Sequence, residues 1–147
     1  MINQNNPLLT YRYQVEISGL FVAGFSEVSG LEQEIELEEF KEGGMDFVHK
    51  FPSGIKYPNL VLKRGISADT TLREWYQSVI KAISYGEAIP KASTVYISLL
   101  NSQAEEEVRI MLKLAYPIKW VSSNLNATAS EVGIETLELV HEGLVFS

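Results

Sequence analysis

The chain has no cysteine, which removes disulfide frameworks, thiolate metal sites and thiol nucleophiles and says nothing about compartment. Histidine is nearly absent: only His49 and His141 occur. Neither lies in a motif with metal-ligand spacing, and each reads as an ordinary surface or hydrogen-bonded histidine. Positive charge is scarce. Twelve Lys and Arg stand against nineteen Asp and Glu, a net charge of −7, which argues against direct binding to a phosphate backbone, since that affinity comes from a basic surface. No apolar run is long enough to cross a membrane. The first residues, MINQNNPLLTYRYQ, carry neither the basic start nor the apolar run of a secretory signal, so the expectation is a chain made and folded in the cytoplasm. Gly-x-Ser-x-Gly, P-loop and Rossmann glycine patterns are missing as well. No catalytic residue, cofactor or metal is assigned.

What is present describes one β-rich domain. At 147 residues, 46% hydrophobic and 21% charged, the chain is long enough to bury a core. After a loose polar lead over residues 1–10, Tyr11, Tyr13, Val15 and Ile17 alternate with Arg12, Gln14, Glu16 and Ser18, the period of a half-buried strand. Gly19 marks a turn, and Phe21 to Ser29 reads as a second strand interrupted by Gly24. Thr94 to Leu100 and Glu107 to Ala115 form a later hairpin with an acidic tip at Glu105 to Glu107. After Pro117, a last run from Glu131 to His141 changes phase between Ile134 and Leu137, which predicts a bulge or burial on both faces.

One helix stands out over 69–85. Leu72, Trp75, Tyr76, Val79, Ile80 and Ile83 form a single apolar stripe expected to be core. Asp69 or Thr71 is placed to cap it, Thr71 and Glu74 have capping-box spacing, and Gly86 suits its exit. Six to nine strands around this helix predict a mainly β (α+β) fold, an antiparallel sandwich or barrel of two sheets with one flanking helix.

The stretch from Leu31 to Gly65 has the least ordinary charge pattern. Its first arm carries Glu32, Glu34, Glu36, Glu38, Glu39 and Glu42 against Lys41, whereas Phe47 to Gly65 has Lys50, Lys56, Lys63 and Arg64 and no acid. Gly43 and Gly44 supply a turn in a long hairpin over 31–52. A three-residue loop over Gly43 to Met45 sets Leu37 opposite Phe51 and Glu38 opposite Lys50; a slip of one residue would exchange the faces. Pro52, Gly54 and Pro58 interrupt the return, and Asn59 to Lys63 follows as a short strand. The glutamate row, spaced ~7 Å apart on one face, makes a ladder and not a converging cage. It faces either water or cations from a neighbour. Lys63 and Arg64 are read as an anion site or as a strand-end pair facing an acidic arm of the same or an adjacent subunit.

Five segments in order, GFSEVSGLEQEIELEEFKEGG, KYPNLVLKRGI, LREWYQ, AYPIKW and LNATASEVGIETLELVHEGL, resemble the tail tube proteins of contractile phages and of phage-tail-like contractile injection systems. The type VI secretion tube protein is related in architecture. The resemblance spans nearly the whole chain, and it implies hexameric rings stacked into a hollow tube, with inward strands joined into one β-barrel. It also implies a surrounding sheath, a baseplate hub or spike and tube paralogues as partners, and effector cargo or phage DNA in the lumen. The tube would assemble in the bacterial cytoplasm and end in a released particle or a virion. On this reading the subunit-interface candidates are Glu38, Glu42, Gly43, Gly44, Met45, Phe47, His49, Lys50, Lys63 and Arg64. The lumen candidates are Arg12, Gln14, Glu16, Glu32, Glu34, Glu36, Arg109 and Lys113. The competing readings are a monomeric β-barrel holding a small apolar ligand, which needs an enclosed pocket, and a hydrolase without a recognised motif.

Overall fold

The computed structural model describes residues 12–18, 20–41, 43–44, 47–65, 70–103, 105–123 and 133–146. Its strands are β1 (Tyr13–Ile17), β2 (Leu20–Phe25), β3 (Glu27–Ser29), β4 (Glu34–Phe40), β5 (His49–Lys56), β6 (Leu60–Gly65), β7 (Ser93–Leu100), β8 (Glu106–Ser123), β9 (Ile134–Val140) and β10 (Gly143–Phe146), with helix α1 at Thr71–Ser84. The fold is mainly β: antiparallel sheets with one helix. Strands run in the order β2-β1-β7-β8-β9-β6-β3 with β10 also on β8, while β4 and β5 form a separate two-stranded ribbon. Tyr11, Gly19, Asp69 and Glu131 lie outside the described residues.

The 18-residue β8 organises the sheets. Its first half, to Ala115, pairs with β7, and its second half, from Tyr116, pairs with β9. At the change of partner Leu114 has a left-handed φ of 49° and the register shifts between Pro117 and Lys119. The strand predicted to end at Ala115 therefore continues. Pro117 is tolerated because a proline that cannot donate to the ladder sits beside an irregularity.

Between the two halves lies the core, with Val15, Leu60, Leu62, Val95, Leu112 and Leu139 fully buried. In β9, Glu135, Leu137 and Leu139 point inward and the residues between them are less buried, without any change of phase. The bulge predicted there belongs to β8 instead. What looked like a phase change is a glutamate at an inward position: Glu135 meets Arg64 of the neighbouring β6 at 2.9 Å, and both side chains are about nine-tenths buried. Trp120 Nε1 donates to the other Glu135 carboxylate oxygen at 2.8 Å, and the Arg64 guanidinium lies 5.5 Å from the Phe25 ring centroid.

Helix α1 keeps its predicted position but not its predicted burial. Leu72 is buried and Trp75, Tyr76 and Val79 are half-buried, yet Ile80 and Ile83 are exposed, and the buried residue of the last turn is Ala82. In the last turn the helix therefore packs on its Ala82 side and leaves the end of the stripe uncovered. The N-cap is Thr70, whose hydroxyl donates to Glu74 Oε1 at 3.1 Å and makes no cap bond to the backbone. At the other end Gly86, at φ 67°, gives a Schellman exit, with Glu87 N donating to Ala82 O at 2.8 Å.

Gly30, at φ +93°, starts the segment between β3 and β4, and a Cβ there would lie 2.2 Å from the Asn59 carbonyl oxygen. Gly30→Ala is expected to cost more than about 2 kcal/mol, combining left-handed strain with a backbone clash. Gly44→Ala, with φ +85° but open space around it, should cost only the strain. Denaturant midpoints of the two variants would check the difference.

Candidate functional site

The ribbon β4-β5 is the prolongation of the β3-β6 pair. The chain leaves β3 through 30–33, returns through 57–59 into β6, and pairs antiparallel on both sides of that gap. Leu31 and Tyr57 pack against the core at its root. His141 fixes the return: its Nε2 lies 3.2 Å from the Pro58 carbonyl oxygen, Gly143 N donates to its Nδ1 at 3.2 Å, and its ring lies 5.6 Å from that of Tyr57. These two bonds require Nε2 to carry the proton. His141 is thus the hydrogen-bonded histidine expected from sequence.

Beyond that root the ribbon stands clear, with every described residue of β4 exposed and all of β5 exposed except His49. Its register differs from expectation by one residue: Glu39 faces Lys50, Glu38 faces Phe51, Phe40 faces His49 and Leu37 faces Pro52. Eight residues, 41–48, connect the strands, so the glycine turn does not dictate the pairing. A shift between Glu36 and Leu37 leaves Ser53 as the extra residue of β5. Glu39 and Lys50 approach to 3.7 Å with both side chains 59% exposed. A double-mutant cycle on Glu39 and Lys50 should therefore give a coupling of only ~0.2–1 kcal/mol, and the same cycle on Glu38 and Lys50 none.

The register gives the ribbon two unlike faces. Opposed residues share a face, so Ile35, Leu37 and Ile55 stand together with the Glu39–Lys50 pair on one side. On the other are Glu34, Glu36 and Glu38, then an aromatic group in which Phe40 stacks on His49 at 5.1 Å, meets Phe51 edge-on at 5.6 Å, and Phe47 meets His49 at 4.9 Å. Ile35, Leu37, Ile55, Phe40, Phe47 and Phe51 are all exposed. Among the interface candidates, Lys50, His49 and Glu38 therefore belong to the ribbon strands, Gly43, Gly44 and Phe47 to their connection, and Glu42 and Met45 lie outside the described residues. Lys63 lines a shallow hollow of about 260 Å³ with Val61, Lys119, Val121, Thr136 and Glu138, open on the outer face of the sheet. Arg64 is different: in phase with Leu60 and Leu62, it is turned into the core and paired with Glu135. It is not available as part of a strand-end charge pair.

The lumen candidates divide in the same way. Gln14 faces Ser98, which faces Arg109, and Glu16 faces Tyr96, which faces Met111, so these residues line the polar outer face of β1-β7-β8. There Arg109 reaches Glu16 at 3.3 Å and lies 4.3 Å over the Tyr96 ring. Lys113 is exposed two residues further along β8 from Met111, and Arg12 is exposed just before β1. Glu32, Glu34 and Glu36 are elsewhere, at the root and along the ribbon. Sequence reasoning missed the aromatic group on the ribbon and the Arg64–Glu135–Trp120 network. The signal for the second was present: Arg64 and Glu135 each occupy the inward phase of an otherwise apolar strand.

Among the described residues no group of three or more His, Cys, Asp or Glu converges as a metal site, and no helix is long and apolar enough to cross a membrane. The T4-like virus tail tube protein gp19 family matches residues 9–145. The chain belongs to the gp19 tail tube family. This tail tube protein is a structural component of a phage tail or contractile injection system and not an enzyme. Solved structures agree in fold. The tube-terminating cap of the anti-feeding prophage is 25% identical with a TM-score of 0.74, over 100% of this chain and 95% of that one. The sheath/tube terminator of the extracellular contractile injection system PVC is 22% identical with a TM-score of 0.75, over 99% of both chains. Hcp1 from Flavobacterium johnsoniae is 11% identical with a TM-score of 0.55, over 93% of this chain and 95% of that one. No protein of curated function matches the sequence.

Proposed function

We propose that this tail tube protein forms hexameric rings that stack into the hollow inner tube, with the β4-β5 ribbon of each subunit docked on a neighbouring copy. The observation that carries this reading is the ribbon itself. A two-stranded hairpin is at best marginally stable alone in water, yet this one projects from its domain with aliphatic residues exposed on one face and aromatic residues on the other. A surface of that kind is a binding surface. The outer face of β1-β7-β8, polar and internally paired through Glu16 and Arg109, suits a water-filled lumen through which effectors or DNA pass. Likeness to chains solved in the PVC sheath/tube terminator and in the anti-feeding prophage baseplate supports a sheath around the tube and a baseplate beneath it, in a particle either released or borne by a phage.

Six copies at −7 each carry −42, so rings stack against net repulsion. Tube yield, measured by sedimentation of the purified protein, is therefore expected to rise with salt, because screening shortens the reach of that repulsion from ~30 Å at 0.01 M to ~8 Å at 0.15 M. Yield independent of ionic strength would remove the electrostatic part of the proposal.

A further inference from the structure

The helix stripe leaves an apolar surface that the domain does not use. Ile80, Ile83, Tyr85 and Ile89 are all exposed, Ile83 and Tyr85 at 64% and 71%. A hollow of about 270 Å³ there is lined by Gln77, Ile80, Lys81, Ser84 and Tyr85. An amphipathic helix normally buries its stripe, so a last turn of stripe without cover, continued by Tyr85 and Ile89 beyond the helix, calls for a second chain. The geometry points to one occupant: the Ile35–Leu37–Ile55 face of the ribbon of another copy of this chain. This assignment rests on the stacking proposed above and names the acceptor for its ribbon.

Charge supports the match. Residues 31–56 carry seven acids against Lys41, Lys50 and Lys56, a net −4, whereas residues 71–91 carry Arg73, Lys81 and Lys91 against Glu74 and Glu87, a net +1 in a chain of net −7. The two segments are thus opposite in sign, and Lys81, exposed beside the hollow, is placed to meet Glu39, the acid that shares the docking face with Ile35, Leu37 and Ile55. Donor and acceptor are different patches of one surface, so the contact is head-to-tail: each subunit gives a ribbon and receives one, and propagation closes a ring or extends a stack. One face of a seven-residue ribbon measures only about 23 Å by 10 Å. A single contact falls short of the ~1,200 Å² typical of a stable pair, so the contact holds when repeated around a ring and leaves isolated pairs weak.

The absence of cysteine gives a clean test. Leu37→Cys and Ile83→Cys would be introduced together and singly, the proteins assembled and oxidised, and the products separated without reductant. The double variant is expected to give a ladder of covalent multimers, each single variant none, and a co-assembled mixture of the two singles dimers only. Wild-type tubes forming normally while the double variant, equally assembled, stays uncrosslinked would overturn the docking site and leave the stacking intact. Wild-type protein that forms no tubes would instead strike at the stacking. Ile80→Ser/Ile83→Ser provides an independent readout, because both residues are exposed and the fold should survive. Unchanged circular dichroism with tube assembly needing at least roughly tenfold more protein is expected, and unchanged assembly would contradict the site.

Discussion

Replacing Glu135 by alanine is expected to destabilise the domain by ~3–5 kcal/mol, the cost of removing one member of a buried ion pair. Arg64 would keep its guanidinium in a core otherwise filled by Leu60, Leu62 and Leu137, and Trp120 would lose the acceptor of its indole N–H at 2.8 Å. With the whole stability of a domain at 5–15 kcal/mol, the variant should unfold at far lower denaturant than wild type. The attraction inside the pair is not what is lost. Both charges have been taken out of water, and that desolvation cancels much of the Coulomb gain. Replacing the pair jointly, Arg64→Met with Glu135→Leu, should therefore recover most of the loss. Equilibrium unfolding of the two variants would separate the cases; a single Glu135→Ala within 1 kcal/mol of wild type would mean that water reaches Arg64 and that the network is not buried as described.

Removing the aliphatic face of the ribbon should give the opposite pattern, intact folding with failed assembly. Ile35→Ser, Leu37→Ser and Ile55→Ser change side chains 55–60% exposed in the monomer, so each should alter its stability by no more than ~0.5 kcal/mol. Docking covers the exposed half of each side chain, about 1 kcal/mol apiece. Together they contribute ~3 kcal/mol per contact, or roughly a hundredfold in the protein concentration at which tubes appear. Sedimentation and thermal melting of the triple variant would check both parts. Normal tubes would show that the face is not an interface, and a collapsed melting temperature would show that it packs on its own domain.

Much of the fold was legible because its periods are plain. Val15 in β1 occupies an inward position as alternation predicts, and Leu72 begins α1 on its buried side. Three features were hidden for separate physical reasons. The ribbon's register depends on an eight-residue connection and an irregularity at Glu36/Leu37, and neither leaves a pairing rule in the sequence. The continuation of β8 through Pro117 depends on a change of partner strand that only the assembled sheet reveals. The exposure of Ile80 and Ile83 depends on how the helix sits on the sheets, with Ala82 on the covered side of the last turn, which a 3.6-residue period cannot report.

The central claim is that this chain is a wall subunit that completes its surface with copies of itself. Electron cryo-microscopy of the purified protein across a range of concentrations and salt tests it most directly. Stacked sixfold rings, with density for each β4-β5 ribbon lying against a neighbouring copy, are the predicted result. A monomer at every condition, with its ribbon folded back on its own sheet and no tube formed even on a supplied baseplate, would contradict it.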